Sequence, residues 1–405
     1  MRTLSLSLAV LPVLALLPGA AHAQAYSWGD RNTDFPPAFP EQFRAPLSPS
    51  DVTLQTEVLA DGLVHPWGIA TLPGDDGWLV TERAGRLRHL ATDGTLSDPI
   101  TGVPEVLPEG QGGLLDVTLA PDFAETGMIL FTYAKPIDGG SATAAAKATL
   151  SDDMTTLSDV TDIFVQSPPS PTPQHYGSRV LQLADGTWAI TSGEHSSDEE
   201  RPYAQDLDKT YGKVIRVTLD GTAPDDNPFV GKEGQDDTIW SYGHRNIQGA
   251  AVDADGTLWT IEHGPAGGDE LNRPEAGLNY GWPIISYGRR YSFRDADPSG
   301  PIGIGQAVEE GMEQPVYFWD PVIAPGGMAF HSGDTFGDWN GDALIASLKP
   351  GGVVRLSLEN GLVVEEERML MELGRVRDVE VLADGSFIVL TDQADGAVIH
   401  VTPAE

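Results

Sequence analysis

Two adjacent carboxylates, Asp269 and Glu270, lie in a segment rich in glycine and proline that extends from residue 264 to residue 272. A hard cation such as Ca²⁺ binds oxygen ligands, and a bend of this kind lets main-chain carbonyl groups point inward beside the carboxylates. Tyr280 follows in a second short turn. The pattern indicates a calcium site, although an isolated Asp-Glu pair is more often a solvated turn.

A cation and two amides lie just upstream of this segment, in a tight loop bounded by glycines at 243 and 249. They are Arg245, Asn246 and Gln248. Guanidinium and amide groups donate hydrogen bonds to carboxylates and other oxyanions. A metal loop beside such a loop indicates an anionic ligand held between the two.

His175 is the best candidate for a general base. It stands in Gln174-His175-Tyr176-Gly177, immediately before a predicted strand at 179–183. Because the pKa of imidazole is near neutral, a histidine that projects from such a loop can remove a proton from a hydroxyl group. A structural histidine with one loop hydrogen bond is the open alternative.

Two further loops contain glycines that permit close approach of a ligand. Gln111 lies in the glycine-rich segment 110–116, which lacks the Lys-Ser/Thr pair and the following helix of a phosphate-binding loop. That absence argues against nucleotide binding. The glycines would let Gln111 approach a flat ligand, and an ordinary β-turn is the alternative. Pro325 and Gly326 fit equally a turn into a strand or a loop that lines a ligand.

Cations are scarce in this chain, which has 24 Lys and Arg against 60 Asp and Glu and a net charge of −36. Such a field repels nucleic acids and anionic membranes, so neither is an expected partner. Against this background, loop cations at Arg245, Lys349, Arg375 and Arg377 form a candidate cage for a polycarboxylate ligand. Surface salt bridges are the alternative for each of them.

The N-terminus predicts export. A basic start is followed by an apolar run and by Ala21-His22-Ala23, which is typical of a secretory signal over residues 1–23 and too short for a membrane anchor. We therefore expect a periplasmic or secreted protein without membrane insertion. Residues 24–50 are rich in proline and predict an extended arm. The chain has no cysteine, so disulfides and thiolate metal sites are excluded.

A recurring turn organises residues 51–405 into a single all-β domain. The sequence Ala-Asp-Gly-Ser/Thr precedes a short β-rich run at residues 184, 254 and 383. Asp-Gly is a strong signal for a tight turn between strands, and repetition of this kind is typical of radially repeated sheets. Roughly 350 residues at about 60 to 70 each indicate a β-propeller of five or six four-stranded blades. A short helical insert fits residues 200–215.

Serine-hydrolase, zinc-protease and dinucleotide motifs are absent from the sequence. Taken together, the motifs resemble those of the soluble aldose sugar dehydrogenases that use pyrroloquinoline quinone (PQQ), the glucose/sorbosone dehydrogenase family. The resemblance extends from residue 65 to residue 378, nearly the whole mature chain. The motifs that carry it lie, in order, at 110–116, 175–177, 244–248, 264–272, 279–282, 348–349 and 375–378. The family fold is a six-bladed propeller with four-stranded antiparallel blades, which agrees with the repeats.

The resemblance implies a role for each candidate. His175 would take the proton from the sugar C1 hydroxyl as a hydride moves to the PQQ C5 carbonyl, and Arg245 would stabilise the charge forming on that oxygen. The residues implied to hold PQQ are Gln111, Arg245, Asn246, Pro325, Gly326, Lys349, Arg375 and Arg377. The carbonyls of Gly264 and Pro265 would bind one calcium ion, and Glu270 and Tyr280 would belong to a second, structural site.

Two other classes of protein stay open. A calcium-dependent propeller hydrolase, such as a lactonase, would also use a histidine and a central Ca²⁺, but a neutral lactone needs no cage of cations. A non-catalytic scaffold would leave the clustering of polar side chains in glycine-rich loops unexplained. The expected small-molecule partner is an aldose sugar. Which aldose it is, and whether electrons pass to a cytochrome, a quinone or a dye, does not follow from the sequence.

Overall fold

The computed structural model describes residues 20–21, 26–74, 76–291 and 301–404. The predicted signal at 1–23 lies outside the described residues except for Ala20–Ala21, so it stays a prediction. Two strands precede the first blade, β1 (Ala20–Ala21) and β2 (Leu54–Leu63). The first blade contains β3 (Pro66–Thr71), β4 (Trp78–Glu82) and β5 (Arg86–Leu90).

The second to fifth blades are four-stranded antiparallel sheets in which sequence order equals spatial order. The second blade contains β6 (Leu114–Leu119), β7 (Met128–Ile137), β8 (Gly140–Leu150) and β9 (Leu157–Val165). The third contains β10 (Val180–Gln182), β11 (Trp188–Thr191), β12 (Lys213–Val217) and β13 (Ile239–Tyr242). The fourth contains β14 (Ile247–Val252), β15 (Leu258–Glu262), β16 (Asp269–Asn272) and β17 (Tyr317–Trp319). The fifth contains β18 (Pro325–Phe330), β19 (Ala343–Ser347), β20 (Val353–Glu359) and β21 (Leu362–Met369).

The sixth blade joins the two ends of the domain. Its first three strands are β22 (Val376–Val381), β23 (Phe387–Thr391) and β24 (Gly396–Pro403), and its fourth is β2, which pairs antiparallel with β24. The first strands of the six blades contact one another in a closed ring around the centre, from β3 through β6, β10, β14, β18 and β22 back to β3. The predicted six-bladed propeller is therefore confirmed. The first blade differs in having three strands, and the segment after β5 pairs with that strand through an isolated bridge between Leu90 and Leu96 and through a few main-chain hydrogen bonds.

The repeated turn connects the first two strands of three blades. Gly186, Gly256 and Gly385 have φ values of 85°, 83° and 90°, which favour glycine because it has no Cβ. In the first of these turns the Asp185 carboxylate accepts a hydrogen bond of 2.9 Å from the Thr187 N–H. The residues of these turns thus set the register between the first two strands of the three blades.

The hydrophobic core lies between the blades. Strands β4, β15, β19 and β23 are buried over their whole length, because each second strand is covered by a neighbouring blade on both faces. Clusters of apolar side chains fill the six spaces between adjacent blades.

Helices are few in the described part of the chain. They are one α-helix, α1 (Phe123–Thr126), and four short 3₁₀ turns at Pro40–Gln42, Arg201–Ala204, Gly337–Trp339 and Met371–Leu373. The turn at 201–204 is where a short helical insert is predicted. Searching the described residues finds no helix with the length and hydrophobicity required to cross a membrane. Residues 26–50 contain no strand and extend across the fourth and fifth blades.

Candidate active site

A cavity of about 220 Å³ lies where the inner strands begin. The loops that precede the first strand of each blade and those that follow its second strand meet at this end of the ring, so residues distant in sequence share one site. The lining residues are Trp67, Arg83, Gln111, Gln248, His263, Ala324, Leu348, Arg375, Arg377 and Asp392. Three of the predicted cofactor ligands, Gln111, Arg375 and Arg377, are therefore brought together.

The cavity has an excess of positive charge. Arg375 and Arg377 each donate a hydrogen bond of 2.7 Å to the same oxygen of Asp392. Burial alone would raise the pKa of Asp392, but Arg377, Arg375 and His65 outweigh it and hold that pKa below its usual range. Arg83 adds a third guanidinium group. Three guanidinium groups against one carboxylate leave two positive charges in a chain that is otherwise strongly acidic.

Buried donors in this region lack partners. Arg377 donates through Nη1 to the Gln248 side chain at 2.7 Å, but its Nε has no hydrogen-bond partner among the described residues. The same is true of the Nε of Arg245. A buried, unpaired donor is costly unless a ligand satisfies it. The residues thus fit a flat, polyanionic group, and Trp67 supplies an aromatic surface to the cavity.

Several cavity residues are absent from the sequence prediction. Arg83 could have been found by the reasoning applied to the other loop cations, since it lies in a tight turn before Gly85 and donates to the carbonyls of Gly110 and Gly112. His263 directly precedes the predicted metal loop and contacts the Pro325 carbonyl at 2.6 Å. Asp392 carried no local signal, because its pairing with two arginines depends on blade geometry.

His175 is buried beside the cavity. It is 5% exposed and is not among the described residues that line the cavity. Its main-chain N–H donates to Gln111 Oε1 at 2.9 Å, and its φ of 46° is rare for a residue other than glycine. A Cβ at Gly193 would lie 1.9 Å from the His175 carbonyl oxygen, so only glycine permits this contact.

Glu194 orients the imidazole of His175. The two side chains meet at 3.1 Å between His175 Nδ1 and Glu194 Oε2. That contact assigns the proton to Nδ1 and leaves the lone pair on Nε2. Burial and, to a smaller extent, Arg245 lower the pKa of His175 to about 4 against the opposing pull of Glu194. The ring is therefore neutral at pH 7, which is the state that a general base requires.

Glu194 itself stays ionised. Burial would raise its pKa, but His175, Arg245 and the Ser196 N–H outweigh burial and lower it to about 2. Its second oxygen, Oε1, has no hydrogen-bond partner among the described residues and lies 3.9 Å from the Nε of Arg245. Sequence reasoning missed Glu194, because nothing near residue 194 marks it as the partner of residue 175.

Arg245 lies next to both the base and the predicted metal loop. Its Nη1 donates to the carbonyls of His263 and Gly264 at 2.9 and 2.7 Å, and its guanidinium carbon lies 5.1 Å from the centre of the Trp282 ring. Asn246 instead ties loops together, because its Oδ1 accepts a hydrogen bond of 3.0 Å from the Gly177 N–H.

The remaining predicted cofactor ligands lie around the cavity. Strand β18 begins at Pro325, so the turn-into-strand interpretation is correct for this segment. Gly326 packs against the main chain of Arg377, where an added Cβ would approach a carbonyl oxygen to 2.1 Å. Lys349 is exposed and lines a larger outer cleft of about 690 Å³. Because His263 and Ala324 line both spaces, the outer cleft adjoins the inner cavity.

Asp269 and Glu270 differ from the predicted turn in belonging to strand β16, so the tight loop ends at residue 268. The Asp269 carboxylate accepts hydrogen bonds from the N–H groups of Gly264, Ile323 and Ala324 at 2.7 to 2.8 Å. Burial nevertheless raises its pKa to about 7. The Asp269 carboxylate therefore stabilises the folded loop, and both of its oxygens already accept hydrogen bonds.

Glu270 is the better candidate metal ligand. The only described hydrogen bond to the Glu270 carboxylate is long, 3.4 Å from the Asn272 amide. The Asn272 Oδ1 is buried without a described partner. Desolvation raises the pKa of Glu270 well above its usual range, and the neighbouring Glu262 adds to the effect. A small void of about 10 Å³ adjoins it. Under-satisfied oxygens around a small void fit a hard cation.

Two of the other predicted calcium ligands, Tyr280 and Gly264, already take part in hydrogen bonds within the protein. The Tyr280 hydroxyl donates to the Arg273 carbonyl and accepts from the Glu275 N–H, so Tyr280 could bind an ion only through its main chain. The Gly264 carbonyl accepts from Arg245, so a calcium ion there would share this oxygen with a guanidinium group. Within the described ranges, no three His, Asp or Glu side chains form a metal centre.

The fold and the site together define a propeller with a central cavity of excess positive charge beside a neutral, carboxylate-held histidine. A family model described as Glucose / Sorbosone dehydrogenase matches residues 63–400 of this chain. The chain belongs to that family and is an oxidoreductase. The propeller is thus that of a sugar dehydrogenase family member.

Individual relatives agree with this assignment. Aldose sugar dehydrogenase YliI of Escherichia coli (strain K12) is 44% identical over 355 residues, which cover 87% of this chain and 93% of that protein. The crystal structure of the soluble aldose sugar dehydrogenase from Escherichia coli in the apo-form has a TM-score of 0.82 at 42% identity, covering 87% of this chain and 100% of that one. The PQQ-bound form of an aldose sugar dehydrogenase from Streptomyces coelicolor has a TM-score of 0.69 at 25% identity, covering 88% and 99%.

Proposed function

We propose that this protein oxidises aldose sugars at C1 to lactones, with PQQ and calcium as cofactors. The observation that carries the proposal is the buried His175, held neutral in one tautomer by Glu194 beside a cavity with two excess positive charges. PQQ, when bound, supplies the carbonyl that accepts the C1 hydride. The tricarboxylate would be held by Arg83, Arg375 and Arg377 in the cavity and by Lys349 in the adjoining outer cleft.

His175 Nε2 removes the proton of the C1 hydroxyl as the C1–H bond breaks. Glu194 keeps the ring oriented and stabilises the imidazolium that forms, since its carboxylate already accepts the Nδ1–H. Arg245 offers an unpaired Nε to negative charge that develops near it. The proton then passes from His175 through the polar cavity to solvent.

The test is reconstitution of purified apoprotein with PQQ and Ca²⁺. We expect a bound quinone absorbance that aldoses bleach and that a dye acceptor restores, with lactone formed in equal amount. A panel of aldoses then ranks the substrates. Lactone hydrolysis without quinone binding would replace the proposal with the propeller hydrolase, which leaves the cationic cavity unexplained.

Calcium at Glu270 is proposed on its sparse hydrogen bonding and on the adjoining void. An ion bound only by the folded state stabilises that state, so chelation should lower the melting temperature by roughly 5 °C or more. Glu270→Gln should abolish the response to Ca²⁺, whereas Glu275→Gln, at an exposed carboxylate nearby, should retain it. An unchanged melting temperature after chelation and buffer exchange would remove calcium from this place.

We also propose that the protein is exported to the periplasm or beyond, on the sequence of residues 1–23. N-terminal sequencing of protein recovered from the periplasmic fraction should begin at Gln24. Recovery of the chain from the cytoplasm with Met1 or Arg2 at its start would contradict this.

A further inference from the structure

The outer cleft has a wall that belongs to none of the six blades. Tyr26, Ser27, Gly29 and Asn32 of the N-terminal arm line it. The cleft is also lined by the metal-loop residues 264–267 and by Pro321, Val322 and Ala324. Because this cleft adjoins the inner cavity, a ligand whose reacting carbon sits near the cavity would extend toward the arm.

The arm is held firmly at this position by Asp320, a residue that is 1% exposed. The main-chain N–H groups of Asn32 and Thr33 donate to Asp320 Oδ2 at 2.8 and 3.0 Å, and the Asn32 amide donates to Oδ1 at 2.7 Å. Hydrogen bonds to a buried carboxylate are among the stronger ones in proteins. The arm is therefore a fixed part of the cleft.

Aromatic and cationic side chains fix the first residues of the arm. The Tyr26 ring lies 4.6 Å from the guanidinium carbon of Arg368 and meets the Trp28 ring edge-on at 5.7 Å. Arg44 packs over the Trp28 ring at 5.6 Å and donates to the Gly29 carbonyl at 2.7 Å. Tyr26 thus presents a ring of defined position, with a hydroxyl group, to the cleft.

We propose that arm residues 26–32 form one wall of the sugar-binding cleft and that Tyr26 recognises the part of the sugar beyond the reacting carbon. This inference rests on the proposed function. A sugar ring has apolar C–H faces and hydroxyl edges, and a half-buried tyrosine beside the exposed Ser27 hydroxyl offers a match to both. The arm sets substrate affinity, and the cavity groups perform the reaction.

Steady-state kinetics of the holoenzyme test the role of Tyr26. Tyr26→Ala should raise KM roughly three- to tenfold, the size of a lost aromatic contact, with kcat changed less than about twofold. PQQ titration of the apo-variant should match wild type, because no cavity residue is altered. Phe35→Ala is the control, since it removes a ring of the same arm that does not line the cleft.

Thiol labelling gives a second measurement that does not depend on turnover. The natural chain has no cysteine, so Ser27→Cys and Ala38→Cys each introduce a single reactive group at an exposed arm position. Bound sugar should slow alkylation of the Ser27→Cys variant by iodoacetamide at least about threefold and leave the Ala38→Cys variant, outside the cleft, unaffected. Alkylated Ser27→Cys protein should in turn show a raised KM.

The outcomes separate this inference from the function on which it rests. If wild-type holoenzyme oxidises no aldose, both are overturned. If it oxidises aldoses but Tyr26→Ala keeps the wild-type KM, or sugar gives no protection at Ser27→Cys, the arm is a structural strap and this inference alone is overturned.

Discussion

Two buried arginines near the centre of the propeller have opposite electrostatic surroundings. Arg377 lines the cavity where the inner strands begin, and Arg179 lines a separate space of about 150 Å³ further along the same strands. Both guanidinium groups approach the ring of Trp67, at 5.9 and 4.4 Å. Arg179 contacts two carboxylates of its own, Asp116 and Asp378, each at 2.9 Å.

The pKa values of Arg179 and Arg377 reflect the difference between their surroundings. Burial lowers the pKa of an arginine, but Asp378 and Asp116 outweigh it and raise the pKa of Arg179. Burial prevails at Arg377, where a single carboxylate is shared with Arg375, and its pKa is lowered. A buried charge that is paired is costly to remove, because its partners are left buried without it, whereas an under-paired charge is available to a ligand of opposite charge. The difference between the two arginines therefore supports the cavity end of the ring as the proposed functional end.

His175→Gln should give the largest effect, a loss of turnover, and so sharpen the comparison between the two ends of the ring. Loss of a positioned general base lowers turnover by roughly 10²- to 10⁴-fold, while PQQ affinity and the free energy of unfolding stay near wild type. Single-turnover reduction of bound cofactor by an aldose, together with PQQ titration, measures both quantities. Turnover close to wild type would exclude His175 from the chemistry.

Arg179→Met should affect stability instead. It leaves Asp116 and Asp378 buried together without a cation, which costs about 3–5 kcal/mol. Chemical denaturation of the apoprotein measures this cost, with Arg377→Met as the matched change at the other arginine. The comparison fails if Arg377→Met destabilises the apoprotein as much as Arg179→Met does.

Local chemistry made the propeller predictable. The Asp-Gly turns carry their own signal, since the aspartate side chain and the left-handed glycine act within four residues. The three-stranded first blade was not predictable in this way, because pairing beyond β5 depends on contacts between distant segments. The position of Asp269 in a strand was likewise missed, since the N–H groups of Ile323 and Ala324 that hold it come from a distant part of the chain.

Residues of the site could be predicted from the sequence where their residue type is scarce in the chain. Loop cations stand out in an acidic chain, which is how Arg375 and Arg377 were found and how Arg83 could have been. Carboxylates carry no such contrast among 60 acidic residues, so Glu194 and Asp392 were missed. Their importance comes from the partners that the ring of blades brings to them.

Arg377→Met and Lys349→Ala should weaken PQQ binding by one to two decades each, since a charge-assisted hydrogen bond contributes on the order of 1.5–3 kcal/mol. Saturating PQQ should restore most of the activity, because neither residue transfers the proton. Lys232→Ala, at an exposed cation that lines neither the cavity nor the outer cleft, is the control. Wild-type affinity in both variants would show that the cationic cavity is not the cofactor site.

Glu194→Gln should give the smallest and most specific effect, a shift of the acid limb of the pH profile. His175 acts as a base only above its pKa of about 4, so kcat/KM should hold from neutral pH down toward that value and fall below it. The Glu194 carboxylate raises the proton affinity of His175, and its removal should move the limb to lower pH by about one unit. Turnover should also drop, since the ring loses its orientation. A limb that moves to higher pH, or does not move, would show that Glu194 does not control the base.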